Sequence, residues 1–315
     1  MSAPSATVGL PGVEEPITAR PANLWRDTLR NIVSQRSAQV GLALLSLLIF
    51  VAVAAPLLAT HDPQSTIGID EGLKANERGP CIHLLGCPAD RPQHLLGIDR
   101  NGRDVYSRVL YGSRISLQVG FVTQGFAILI GTLLGAIAGY AAGWWDNIIM
   151  RLMDVLLAFP SLILAIAIVT ILKPGLLNAQ LAIGIVAIPI YARVMRASVL
   201  SIKERDFVVA SQALGESTRG ILLRRILPNA LTPLIVQGTL GIAGAILDVA
   251  ALSYLGLGAE PSIAEWGNMI GLERNQLFSA PHLIIVPGVA ISITVLAFNL
   301  LGDGLRDALD PRLNR

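Results

Sequence analysis

The chain has 315 residues, 53% of them hydrophobic and only 15% charged, with a formal net charge of +2. Its mean hydropathy of +0.60 is well above that of soluble domains. The composition excludes an ordinary water-soluble globule, and a small charge spread over two aqueous faces gives no nucleic-acid-binding patch.

Residues 1–38 open with a Pro-, Ser- and Ala-rich stretch and carry Glu14, Glu15, Arg20, Arg26, Asp27, Arg30 and Arg36. They lack the apolar core of a cleaved signal and read as a cytoplasmic tail, ending in an interfacial amphipathic helix from Leu24 to Ser37 that turns apolar residues to lipid.

Windows of about 20 apolar residues, enough to cross a hydrocarbon core of ~30 Å, follow at 39–60, 115–140, 148–172, 178–196, 231–257 and 283–302. The runs are continuous and lack two-residue alternation, which predicts helices that satisfy their own backbone in lipid rather than barrel strands. The expected fold is an all-α membrane protein with six transmembrane helices. With the long loop at 61–114 set aside, Lys and Arg concentrate on the N-terminal side, so both termini are predicted to be cytoplasmic. The expected organisation is a first span and extracytoplasmic loop over 39–114, a core transmembrane domain over 115–303 and a cytoplasmic tail over 304–315.

Both cysteines, Cys81 and Cys87, lie in the long loop. An oxidising compartment there would allow a disulfide closing a short loop, two free thiols being the alternative. Residues 94–116, HLLGIDRNGRDVYSRVLYGSRIS, place a turn at Asn101 and Gly102 before a helical pattern that puts Val105, Tyr106, Val109 and Leu110 on one face.

In the second span Gly131, Gly135, Gly139 and Gly143 recur every four residues. Such a stripe leaves one face almost free of side chains and predicts a tight helix contact. Two acids fall in or beside spans, Asp154 and Asp248. An ionised Asp at a helix centre costs roughly 2.5–3.5 kcal/mol on insertion scales, so each should face protein or water and have a partner. Asp154 has Arg151 three residues away. Asp248 has no cation near it in sequence and reads first as an interhelical hydrogen bond or ion pair, and second as a contact to a transported solute.

Catalytic signatures are missing. No Gly-Lys pair exists to build a phosphate-cradling G-x-x-x-x-G-K-[ST] loop, and G-x-S-x-G is absent. His61, His83, His94 and His282 form no H-E-x-x-H or other close metal pair in sequence. The chain is therefore expected to be no enzyme and to need neither metal nor cofactor.

The longest inner segment, 203–230, contains DFVVASQALGESTRGILLRRILP at 206–228. Phe207, Ala210 and Leu214 share a helical face, as do Leu222, Leu223, Ile226 and Leu227 after the break. Gly215 suits a left-handed C-cap, Ser217 or Thr218 an N-cap, and Pro228 precedes return to the membrane. Two short amphipathic helices follow, which could lie on lipid, pack on the protein's own helices or dock into a soluble partner.

This run resembles the coupling loop of ABC importer permeases, whose signature is E-A-A, three residues, G, then I-x-L-P. Ala210, Ala213, Leu214, Gly215, Ile226, Leu227, Pro228 and Asn229 match, while Val209, Ala210 and Ser211 stand where many members have Glu-Ala-Ala. The resemblance extends to 94–117, to DVLLAFPSLIL at 154–164, to LSYLGLGAEPSIAEWGNMI at 252–270 and to LRDALDPRL at 305–313. Over 24–315 the chain resembles the C-type subunit of the dipeptide, oligopeptide and nickel permease family.

That resemblance implies the transmembrane domain of a type I importer, paired with a homologous second permease, driven by two cytoplasmic ATPases and fed by an extracytoplasmic solute-binding protein. It implies an ATPase-coupling surface at Phe207, Ala210, Ser211, Ala213, Leu214, Gly215, Ile226, Leu227 and Pro228. Peptides are the commonest cargo so implied, with nickel or another small solute as the alternative. An ion-coupled transporter acting alone through Asp154 and Asp248 is the competing class. Residues 94–117, with Trp266, Gly267 and Asn268, are either a contact for the binding protein or lid, or a structural elbow.

Overall fold

The computed structural model describes residues 35–66, 79–90 and 92–309. The interfacial helix expected from Leu24 falls almost wholly outside them. Among the described residues there is no strand, only isolated bridges at Cys81–His94 and Ile98–Asp104.

The helices are α1 (Arg36–Leu58), α2 (Val105–Ala141), α3 (Gly143–Leu157), α4 (Ser161–Leu172), α5 (Leu176–Lys203), α6 (Asp206–Ala213), α7 (Thr218–Tyr254), α8 (Trp266–Glu273) and α9 (His282–Leu309). Five of them, α1, α2, α5, α7 and α9, are long and apolar enough to cross a membrane, and α3 with α4 makes a sixth crossing if the pair is one span.

The run at 148–172 is not one straight helix, because α3 and α4 meet at 93°. Pro160 caps α4 at φ −57; it has no N–H to continue α3, and its ring disfavours helical geometry at Phe159. A hydropathy window registers only apolarity and passes over that break. Two other boundaries move. Asp104 accepts a hydrogen bond from Ser107 N at 2.8 Å and so starts α2 well before residue 115. At the other end α9 continues to Leu309, beyond the expected boundary at 303, with Gly304 set directly against Ala38 of α1.

α2 lies along α5. A Cβ on Gly131 would stand 2.6 Å from Tyr191 Cβ, and one on Gly139 would stand 2.9 Å from Val199 Cβ. One on Gly135 would collide with the Ala192 carbonyl oxygen. Gly143 does not belong to this stripe: it takes φ +60 as the first residue of α3 and has no neighbour within 4 Å of a built Cβ. The four-residue spacing outlasts the helix that gives it meaning.

α2 and α5 run in the same direction, since Gly131, Gly135 and Gly139 meet Tyr191, Ala192 and Val199 in order, and the α3–α4 pair carries the chain back between them, whereas α7 runs opposite to α2. One end of the bundle carries the segments before α2 and around α8; the other carries α6 and the turn into α7.

Candidate functional site

Three features could bear function: a half-open cavity between helices, the α6–α7 corner at one end and a polar elbow at the other.

The cavity, of about 210 Å³, is bounded by α2, the α3–α4 break, α5 and α7. Leu156, Leu157, Phe159 and Ile183 give it apolar walls, and Gln124, Tyr191, Gln237 and Asp248 bring polarity. Tyr191 donates to Gln124 Oε1 at 2.6 Å, so two of these groups satisfy each other. The interhelical partner expected for Asp248 is not found: among the described residues no cation or hydrogen-bond donor reaches its carboxylate, which instead borders the cavity. Gln124, Gln237 and Tyr191 were missed by the sequence reading, although two glutamines inside apolar windows are the kind of signal that marks a lined interior.

Asp154 is paired, though not with Arg151. Arg193 of α5 donates to it at 2.7 Å, with both side chains about half exposed. Beside it Arg196 holds Asp146 in a two-pronged contact at 2.5 and 2.6 Å. These pairs tie α3 to α5, and an exposed pair of this kind supplies orientation more than stability.

At the α6–α7 corner, α6 ends in a Schellman closure: Gly215 at φ +78 donates to Gln212 O, and Glu216 N donates to Ser211 O. Ser217 then accepts from Gly220 N at 3.2 Å and starts α7. The second element is not a separate short helix. It continues into the span through a π-helical segment at Ile221–Ile226, so Pro228 lies within one continuous helix.

Of the placements open to α6 in sequence, the fold turns its Phe207, Ala210 and Leu214 face outward. Val208 (0% exposed) and Ser211 turn inward and pack with Ile221 and Ile226, whereas Phe207 (41%) and Leu214 (88%) point to the outside together with Ala210 and Ala213. Ile226 belongs to the core and Leu227 is half-buried, while Pro228 is exposed. An apolar face normally turns inward; here the apolar side chains left outside form a compact knob, with Glu216 held by Arg225 at 3.0 Å at its edge.

The elbow is a dense polar knot. Arg108 (1% exposed) donates to the carbonyls of Pro63, Ser262 and Ile263, and Arg103 bridges Asp99 and Pro261 O. Glu265 accepts from Gly267 N and Asn268 N at 2.9 and 2.8 Å, and Trp266 Nε1 donates to Val109 O at 3.0 Å. Trp266 (1% exposed), Gly267 and Asn268 are thus buried in the join between α2 and α8, which is the structural-elbow reading of that motif. Cys81 and Cys87 form a disulfide. The absence of a close histidine pair holds only in sequence: folding brings His61 and His94 to a ring separation of 5.0 Å beside Asp104.

Residues 131–315 match the family model described as binding-protein-dependent transport system inner membrane component, and residues 23–75 match the N-terminal TM domain of oligopeptide transport permease C. The dipeptide transport system permease protein DppC of Alkalihalophilus pseudofirmus is 44% identical over 92% of this chain and 90% of its own length. That of Haemophilus influenzae is 41% identical over 96% and 99%. The glutathione transport system permease protein GsiD of Pectobacterium atrosepticum is 42% identical over 92% and 91%. Among solved structures, a chain of the MetNI methionine ABC transporter in inward-facing conformations matches with a TM-score of 0.54 at 19% identity, covering 64% of this chain and 97% of that one, a likeness of fold.

Proposed function

Because the chain belongs to the family of binding-protein-dependent transport system inner membrane components, we propose that it forms half of the translocation pathway for di- or oligopeptides and is driven by separate ATPase subunits docked on its α6–α7 corner. The carrying observation is the outward knob of Phe207, Ala210, Ala213 and Leu214, fixed by the left-handed Gly215 and continuous with a spanning helix. A soluble ATPase with an apolar groove would bury this knob in the helix-in-groove manner.

On this reading the corner is cytoplasmic, both termini lie on the same side and the elbow is extracytoplasmic. A homologous second permease completes the cavity, and a solute-binding protein delivers cargo at the elbow end. Closure of the ATPase dimer would draw the two knobs together and swing the rigid rods between inward- and outward-open states, an equilibrium that cargo shifts only through unequal binding to the two. ATP hydrolysis belongs to the partners, and this subunit is not catalytic.

Peptide cargo is supported by the likeness to dipeptide and glutathione transport permeases and by the chemistry of the cavity. An unpartnered carboxylate at Asp248 complements a peptide's α-ammonium, while the apolar walls accept side chains without discriminating among them.

The decisive experiment is co-purification of the tagged chain with its partners, unmodified and as Leu214→Asp. The charge should abolish recovery of the ATPases and leave the sister permease bound, since Leu214 touches no core residue cluster. ATPases retained at full yield in the variant would refute docking at the corner.

A further inference from the structure

The elbow collects three metal-binding side chains from separate stretches of chain, and nothing in the transport cycle above uses them. We propose that His61, His94 and Asp104 form a three-ligand site for a divalent transition-metal ion, Zn²⁺ foremost, which clamps the segment after α1 onto the head of α2.

The ligand atoms already converge. His94 Nδ1 lies 2.9 Å from Asp104 Oδ1, His61 Nδ1 lies 3.9 Å from the same oxygen, and all three ligand atoms fall within 4.8 Å of one another. A tetrahedral Zn²⁺ with bonds of about 2.0–2.2 Å holds its ligand atoms roughly 3.4 Å apart, a spacing these separations bracket. Small side-chain rotations would therefore suffice, with no rearrangement of the backbone.

The backbone beneath each ligand is fixed by other contacts. His94 O accepts from Cys81 N at 2.8 Å, and Cys81 is held by its disulfide to Cys87. Asp104 is bridged to Ile98 and commits its second oxygen, Oδ2, to Ser107 N, which leaves Oδ1 aimed at the two rings. His61 N donates to Ser107 Oγ at 3.1 Å, so one residue, Ser107, positions two of the three ligands. Thr60 Oγ1, 2.9 Å from His61 Nδ1, is the one contact the ion would displace there. Hydrogen bonds that orient ligands in this way are the usual surround of a metal centre.

Donor chemistry selects the ion. Two imidazoles and one carboxylate suit Zn²⁺ and its neighbours in the first transition row, whereas Ca²⁺ and Mg²⁺ prefer an all-oxygen set. Asp104 and His94 are almost wholly buried, and the His61 side chain is 23% exposed, giving an entry path and room for a water as fourth ligand. Binding at His94 Nδ1 displaces the proton shared with Asp104 Oδ1, which moves to Nε2 of a neutral ring and passes to solvent from a cationic one. None of the three residues lines the cavity, so the ion is a clamp and not cargo.

The test uses the assembled transporter in detergent, loaded with Zn²⁺, desalted and measured for zinc content and for Tm. The unmodified chain is compared with His61→Ala and with His83→Ala, a histidine outside the cluster. About one Zn²⁺ per chain more should remain on the unmodified protein and on His83→Ala than on His61→Ala, whose affinity should fall by at least the roughly 10–100-fold that loss of a mere outer-shell partner costs. The Zn²⁺-dependent rise in Tm should follow the same division. Equal zinc retention and equal Tm shifts in all three would overturn the clamp. Should His61→Ala fail to assemble, the Co²⁺ spectrum of the unmodified transporter decides: intense tetrahedral bands support the site, and a weak octahedral spectrum overturns it.

Discussion

Asp248 stands in the cavity wall without a donor among the described residues, a costly arrangement for a carboxylate unless water or a cationic group completes it. If that group is the cargo's α-ammonium, Asp248→Asn should weaken uptake of free dipeptides roughly tenfold, equivalent to about 1.4 kcal/mol, and leave N-acetylated analogues unaffected. Transport assays in which both cargo types fall equally would assign the residue to structure instead. Glu265 gives a second residue-scale expectation. Burial pushes its carboxyl up, and the N–H groups of Gly267 and Asn268 with the Ser253 hydroxyl pull it only partly back. A carboxyl raised in the folded state binds more protons folded than unfolded, so its contribution to stability falls as pH climbs from about 4.3 to the raised value. The Tm of the unmodified protein should accordingly drop relative to that of Glu265→Gln between pH 4 and 7; a difference that ignores pH would contradict this. Such groups were hard to read in sequence, because nothing in EPSIAEWGN distinguishes a buried Glu from a solvated one.

At the scale of elements, the glycine stripe on α2 was legible because i, i+4 spacing puts residues on one face of any helix. Its limit at Gly139 was not, because the helix ends at Ala141 and Gly143 has already turned away. Gly135→Leu should force α2 and α5 apart and destabilise the subunit by about 1–3 kcal/mol, whereas Gly125→Ala, with open space at the new Cβ, should be tolerated. Thermal unfolding of the two variants in detergent separates these outcomes, and equal Tm values would show that the stripe is not a contact. The α6 helix carries the converse lesson. Its apolar residues were visible, but periodicity cannot say whether an apolar face turns to the core or to a partner, since both are water-excluding. Packing decided it, by giving Val208, Ile221 and Ile226 the interior and leaving Leu214 outside.

For the whole molecule, the paths of the long helices place the corner and the elbow at opposite ends, so a membrane between them makes a topological claim that can be checked. A single cysteine introduced at Leu84 (97% exposed) and another at Leu214 (88%) should react with impermeant maleimides from opposite sides of the membrane, Leu84 from outside and Leu214 only after permeabilisation. The native cysteines do not interfere, being joined as a disulfide. Labelling of both from one side would invert or abolish the orientation proposed. The six apolar runs, the capped turn at Gly215 and the shared face of Gly131, Gly135 and Gly139 were determined by sequence alone, because each depends on neighbours within about one helical turn or on total apolarity. Tertiary structure alone decided that Asp154 pairs with Arg193, that Trp266 is sealed inside the elbow and that His61 meets His94 and Asp104. Those contacts join residues tens of positions apart, and their geometry is set by how whole helices pack, which no local pattern encodes.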